Sequence, residues 1–179
     1  MRALVVYESM FGNTRDIALA VAEGIASRMP VEAVEVGEAP RVLAPDVALL
    51  VVGSPTHRHG MTTPESRADA AARADGRLVS RGIGLHEWLD TLPPMAAPFD
   101  AAAFDTRIKG PGLLWGSAAK IVAKGLRELG FRLVEGPESF LVGGPTGPLV
   151  DRVVEGEFER ARAWGARLAA AIPTPALAR

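Results

Sequence analysis

Short apolar runs alternate with four-residue apolar spacings from the beginning of this chain. Residues 2–7 (RALVVY) form a β-branched apolar run, halted by the polar Glu8 and Ser9. Apolar side chains on both faces of so short a run fit a parallel strand covered by helices. A turn-rich stretch, 9–14 (SMFGNT), follows. Ile17, Val21 and Ile25 then recur four apart among alanines, which gives one apolar helix face. Asn13 or Thr14 is placed to cap that helix, and Asp16 suits its first turn.

The cycle repeats. Residues 31–36 (VEAVEV) alternate as a strand with one more exposed face, and 46–53 (DVALLVVG), the most continuous apolar run, predict the central strand. Residues 98–104 (PFDAAAF) predict a strand dominated by alanine. Residues 117–129 (SAAKIVAKGLREL) predict a helix with Ala118, Ile121, Val122, Leu126 and Leu129 inward and Gly130 placed to stop it. Residues 131–134 and 139–142 read as one last strand interrupted at Gly136 and Pro137. The closing helix runs from about Leu149 to Ala170, with Val154, Phe158, Ala161 and Leu168 on one face.

Strands alternating with helices imply βαβ units: an α/β, doubly wound three-layer sandwich around a five-stranded parallel sheet. More than forty residues separate Gly53 from Pro98, too many for a loop and one helix. Two helices fill the gap, so one is extra between the third and fourth strands. They are 64–75 and 85–92 (LHEWLDTL), the second with Leu85, Trp88, Leu89 and Leu92 as its apolar stripe. Between them, Gly76 to Gly84 reads as a mobile loop. One domain spans 1–171, and 172–179, with two prolines, form a loose tail.

Composition narrows the function. The 179 residues include 48% hydrophobic ones and carry a net charge of -1. One domain can bury a proper core at this length, and the charge gives no electrostatic case for nucleic acid or an anionic membrane. The absence of cysteine excludes disulfides, thiolate metal sites, iron–sulfur clusters and a Cys nucleophile. The first apolar run is too short for a signal peptide, and no stretch approaches the roughly 20 apolar residues of a membrane helix. The expectation is a soluble, cytoplasmic protein.

Ligands of open α/β sheets bind outside the carboxyl ends of the strands. Three loops should meet there: 9–14, 54–60 and 105–115. The first offers Ser9, Asn13 and Thr14, with the flexible Gly12, immediately before a helix N-terminus, which suits an anion. It has no lysine, so it is not the GxxxxGK nucleotide loop, and it lacks GxGxxG. The plainer alternative is an ordinary helix cap. His57 and His59 could share one face of an extended segment, but two ligands do not make a zinc site. Ser54 precedes proline and lacks the glycines of a nucleophile elbow.

These residues resemble a known family. The run Tyr7-Glu8-Ser9-Met10-Phe11-Gly12-Asn13-Thr14 is similar to the FMN-phosphate loop of flavodoxin-like proteins. Val51-Val52-Gly53-Ser54-Pro55-Thr56-His57 resembles their second flavin loop, especially in the flavodoxin domains of flavodiiron proteins. The resemblance implies strand order 2-1-3-4-5, the order found in flavodoxin itself. It implies FMN as cofactor, with Ser9, Met10, Phe11, Gly12, Asn13 and Thr14 around the phosphate. Ser54, Pro55, Thr56, His57, Arg58, His59 and Gly60 would then meet the isoalloxazine ring. Asp105, Thr106 and Arg107 would open the loop on its other side, where Trp115 could replace the tyrosine that commonly stacks on flavin. Phe11 stands where many flavodoxins carry a small hydroxyl residue. His57, Arg58, His59, Arg107 and Lys109 against Asp105 would favour a reduced, anionic flavin and give a less reducing FMN than in typical flavodoxins.

The function implied is electron transfer between a reductase and an acceptor, with redox proteins or a small quinone as partners. Residues 55–61 are also similar to a loop of quinone reductases of the tryptophan-repressor-binding-protein type. An NAD(P)H-dependent quinone reductase or a protoporphyrinogen-oxidase-like flavoenzyme is therefore an alternative. A flavin-free scaffold is another. Oligomeric state is left open.

Overall fold

The structure, a computed structural model, describes residues 1–57, 60–73, 78–108, 116–144 and 152–173. The first apolar run becomes β1 (Arg2–Tyr7), and all of it beyond Arg2 is buried. There follow α1 (Asn13–Ala26), β2 (Val31–Glu35), a 3-10 turn (Val36–Glu38), β3 (Val47–Pro55), α2 (Pro64–Arg73) and α3 (Leu85–Leu89). The chain continues through β4 (Phe99–Ile108), α4 (Ala118–Glu128), β5 (Phe131–Leu133), β6 (Glu138–Val142) and α5 (Glu157–Ala171). The sheet is parallel in the order β2-β1-β3-β4-β5, with β6 also on β4. The expected order therefore stands, with a sixth strand added. The interruption at 134–137 splits the last strand: β5 pairs with the beginning of β4 and β6 with its end.

Alternation along the strands divides the core. Val5, Leu49, Val51, Ala102 and Phe104 pack with α1 and α5 on one side. Leu4, Val6, Leu50, Val52, Ala101 and Ala103 pack with α3 and α4 on the other. Phe104, Phe140 and Trp164 meet edge to face, with ring centroids 5.8 to 6.0 Å apart. Glycine makes the α1–α5 contact possible. A Cβ on Gly24 would lie 2.0 Å from the Arg162 carbonyl oxygen, and one on Gly165 would lie 2.2 Å from that of Val21. Backbone therefore rests on backbone along this seam.

Several boundaries differ from the sequence pattern, for identifiable reasons. α1 is capped by Gly12, at φ +99°, and not by Asn13 or Thr14, which sit in its first turn. α5 begins at Glu157 behind Gly156 (φ +84°), later than the apolar spacing suggested. Val153 and Val154 are used otherwise: Val153 bridges Val142 antiparallel, and the Val154 N–H donates to the Leu141 carbonyl at 3.0 Å. Ile121 is not inward on α4 but 45% exposed, while Ala118, Val122 and Leu126 make the buried stripe. α3 stops at Leu89, although Leu92 beyond it is buried as expected. Gly130 ends the α4 region in the left-handed conformation, as its position suggested. Residues 174–179 of the tail lie outside the described residues. No described helix is long and apolar enough to cross a membrane.

Candidate functional site

The carboxyl ends of β1, β3 and β4 open onto a cavity of about 310 Å³. Ser9, Met10, Phe11, Asn13 and Thr14 line it from the first loop and α1, and Pro55, Thr56 and His57 from the end of β3. Thr106, Arg107 and Ile108 close it from β4. The remaining wall was not legible in the sequence: Ser66, Asp69 and Ala70 of α2, with Val142 and Gly143 after β6.

The first loop is built to receive an acceptor. Gly12 adopts a left-handed conformation that turns the chain into α1, and no side chain caps that helix. Its first-turn N–H groups and the positive end of its dipole therefore meet the loop unaided. The Gly12 N–H donates to Ser9 Oγ at 3.2 Å, so the Ser9 hydroxyl accepts there and keeps its own proton to give. Thr14 Oγ1 and Thr106 Oγ1 lie 2.8 Å apart and are buried. Whichever donates, the pair retains one proton for a third group. Phe11 stands at the rim, 47% exposed, and adds no donor.

A second layer holds this loop in shape. The Ser80 N–H donates to the Ser9 carbonyl at 2.8 Å, Ser80 Oγ accepts from the Ser9 N–H at 2.9 Å, and the Val79 N–H donates to the Met10 carbonyl at 3.1 Å. The described part of the stretch from Gly76 to Gly84, expected to be mobile, is thus fastened to the loop at residues 79 and 80. Gly76 and its neighbour at 77 lie outside the described residues. Glu8, fully buried, accepts from the Thr62 hydroxyl at 2.6 Å and from the Leu85 N–H at 2.9 Å. Burial pushes its carboxyl above the ordinary carboxylate range; Thr62, Leu85 and Arg67 pull it only part of the way back. Arg67 in turn reaches Thr62 at 3.3 Å and pairs with Glu87. Burial works against the Glu87 carboxylate, but Arg67 and the Glu87 and Gly84 N–H groups hold it below its usual value. One polar network thus ties β1, α2 and α3 together behind the cavity.

Four of the described residues expected to meet a ligand, Gly12, Ser54, Gly60 and Asp105, do not line the cavity, and Ser54 and Asp105 stand behind its wall. Asp105 is fully buried. Its Oδ2 accepts from Thr56 Oγ1 at 3.0 Å, Ser117 Oγ at 2.7 Å and the Ala119 N–H at 3.0 Å, fixing α4 against the β3 loop. Asp105 Oδ1 is buried without a hydrogen-bond partner among the described residues. Thr56 Oγ1 also accepts from the Ala118 N–H at 3.1 Å, so its position in the cavity wall is set by α4. Ser54 is buried and bonds the adjacent Pro55 carbonyl at 3.1 Å. His57 and Gly60 exchange backbone hydrogen bonds of 2.9 and 3.0 Å. Arg58, His59, Lys109 and Trp115 lie outside the described residues. Among the described residues, no three His, Asp or Glu side chains group to hold a metal ion.

No protein-family model and no curated protein matches the chain. Solved structures do. A flavodoxin from the domain Archaea is 22% identical, with a TM-score of 0.62, over 95% of this chain and 97% of that one. The flavodiiron core of Synechocystis is 17% identical, with a TM-score of 0.61, over 96% of this chain and 36% of that one. A WrbA-like flavodoxin protein from Agrobacterium tumefaciens is 20% identical, with a TM-score of 0.54, over 94% and 95%. At these identities the likeness is one of fold, and the fold is flavodoxin-like.

Proposed function

We propose that this flavodoxin-like chain binds FMN in the cavity above β1, β3 and β4 and passes electrons between a reductase and an acceptor. One observation carries this: a helix N-terminus without a side-chain cap stands beside the Ser9 hydroxyl and the Thr14–Thr106 hydroxyl pair, which between them keep two protons to donate. Such a set suits a phosphate, held by N–H and O–H donors without a lysine. The cavity volume lies within the range of cofactor sites. The residues present therefore fit the group.

When bound, FMN supplies the redox chemistry. The protein binds and orients it. Ser9, Asn13, Thr14 and Thr106 would hold the phosphate end. Pro55, Thr56 and His57 would meet the ring, with Thr56 kept in place by Asp105 and Ala118. Ser66, Asp69 and Ala70 shield the same volume from the α2 side.

The first test is the visible absorption of the purified protein before and after adding FMN and removing the excess. A bound two-band flavin spectrum supports the proposal. A colourless protein that refuses FMN overturns it in favour of a flavin-free scaffold. A second reading, an NAD(P)H-dependent quinone reductase, draws on the sequence of residues 55–61 and on the likeness to a WrbA-like protein. Steady NADPH oxidation with a quinone and no added reductase would favour it. A flavin reduced only through a separate reductase favours the carrier.

A further inference from the structure

Most arginines that approach the sheet of this protein are paired. Arg2 sits against Glu32 and Asp46, Arg67 against Glu87, Arg132 against Asp100 and Arg160 against Glu138. Arg107 is different. It lines the cavity, no carboxylate pairs with it among the described residues, and its Nε is buried without a hydrogen-bond partner. Arg107 therefore brings to the cavity wall a positive charge that no carboxylate among the described residues neutralises, and a group bound in the cavity meets that charge.

The alternation of β4 fixes the side from which Arg107 acts. Ala102 and Phe104 face α1 and α5, and Thr106 continues that set by meeting Thr14 of α1. Ala101 and Ala103 face α3 and α4, and Asp105 continues that set by binding the α4 N-terminus. Arg107 is the next residue on the second side. The hydroxyl end of the cavity and its guanidinium end thus belong to opposite faces of the sheet. A ligand that satisfies both needs an anion at the first and a separate acceptor at the second.

We propose, resting on the FMN reading above, that Arg107 holds the reduced, anionic flavin ring more tightly than the oxidised, neutral one and so raises the potential of the bound cofactor. Two electrons and one proton convert the neutral oxidised ring into a reduced ring bearing one negative charge. A cation beside that ring favours the charged form. The phosphate carries the same charge before and after, so the hydroxyl end contributes no such difference. Asp69 in the cavity wall and Asp105 on the same face of β4 oppose the effect, and both are kept in every Arg107 variant.

The test compares wild type with Arg107→Gln and Arg107→Lys. FMN and riboflavin are each titrated onto the oxidised proteins, and the bound flavin is then reduced by dithionite, which supplies the electrons, against a reference dye. Arg107→Gln should lower the reduced-over-oxidised affinity ratio at least tenfold, which is about 30 mV to the negative for a two-electron couple. Arg107→Lys should retain most of the wild-type value, and riboflavin should show the same difference as FMN. An unchanged potential in Arg107→Gln overturns the proposal. So does a loss of affinity confined to FMN, which would put the guanidinium on the phosphate. A wild-type protein that binds neither flavin removes the FMN reading and this inference together, whereas flavin bound at an unaltered potential removes only the inference.

Discussion

The Thr62 hydroxyl donates to the buried Glu8 carboxylate at 2.6 Å, joining residues 54 apart in sequence at the back of the cavity. Among the described residues, two neutral donors touch Glu8 directly, Thr62 and the Leu85 N–H, and Arg67 stands behind the first of them. Burial therefore dominates, and the folded carboxyl titrates above its unfolded value.

The sign of the pH dependence follows. The folded state holds this proton more tightly than the unfolded chain does. Its contribution is complete below the ordinary glutamate value of 4.5 and is lost as pH rises through the raised folded value. Glu8→Gln keeps the shape and can still accept from Leu85 while donating to Thr62. We expect Glu8→Gln to equal or exceed wild type in stability near neutral pH, with the gap closing as pH falls towards 4.5. Urea midpoints for both proteins across that interval measure it, and parallel curves would contradict it.

The same substitution should act in opposite directions at two helical glycines. Gly165→Ala would set a Cβ 2.2 Å from the Val21 carbonyl oxygen, and backbone there has nowhere to go. Overpacking of this kind costs about 1–3 kcal/mol, which outweighs a helix-propensity gain of about 1 kcal/mol. Gly125→Ala would meet only Leu89 Cδ1, at 3.8 Å, and should gain most of that propensity. Thermal midpoints falling for the first and rising for the second are the expected pair.

Thr14→Val should weaken FMN binding tenfold or more, since a hydrogen bond to a charged group is worth about 1.5–3 kcal/mol. Riboflavin, without the phosphate, should bind the variant as it binds wild type. Because Thr14 and Thr106 touch, the double variant with Thr106→Val should lose less than the sum of the singles. Fluorescence quenching titrations give all four affinities, and equal losses for riboflavin would remove the phosphate from this end.

Phe11 offers the converse experiment. It is half exposed at the rim, so Phe11→Ser should change stability by no more than about 0.5 kcal/mol. A new hydroxyl beside the α1 N-terminus should tighten FMN by up to about tenfold and leave riboflavin unaffected. A serine variant that binds FMN more weakly would instead show that the ring of Phe11 covers the ligand.

The parallel sheet was legible because β1 and β3 are uninterrupted apolar runs, a pattern that only two covering layers explain, whereas its strand order came from the resemblance of residues 7–14 and 51–57 to flavodoxin-like loops. The end of β4 was not. Asp105 and Thr106 read as loop by polarity, yet they stay extended because Ser54 and Pro55 on one side and Ser139 and Phe140 on the other supply the ladder. That extension also decides which of them meets the cavity: Thr106 and Arg107 line it, and Asp105 turns to α4. The loop residues from Ser9 to Thr14 announced themselves by type and by their place before a helix. Ser66 and Asp69 carried no such mark, since an amphipathic helix shows which face is polar and not what that face looks onto. Glu8 and Ser80 were silent for a related reason: their partners are distant in sequence.

The bond between Ser9 and Ser80 spans 71 positions. β1, α1 and the turn between them are neighbours in the chain and can find one another early. The hydrogen bonds that give the turn its working shape must wait for a far larger loop to close, at a greater cost in chain entropy. The working shape of the turn thus depends on a segment that can open without the core opening, and amide exchange at Val79 and Ser80 should report that local opening separately from the core.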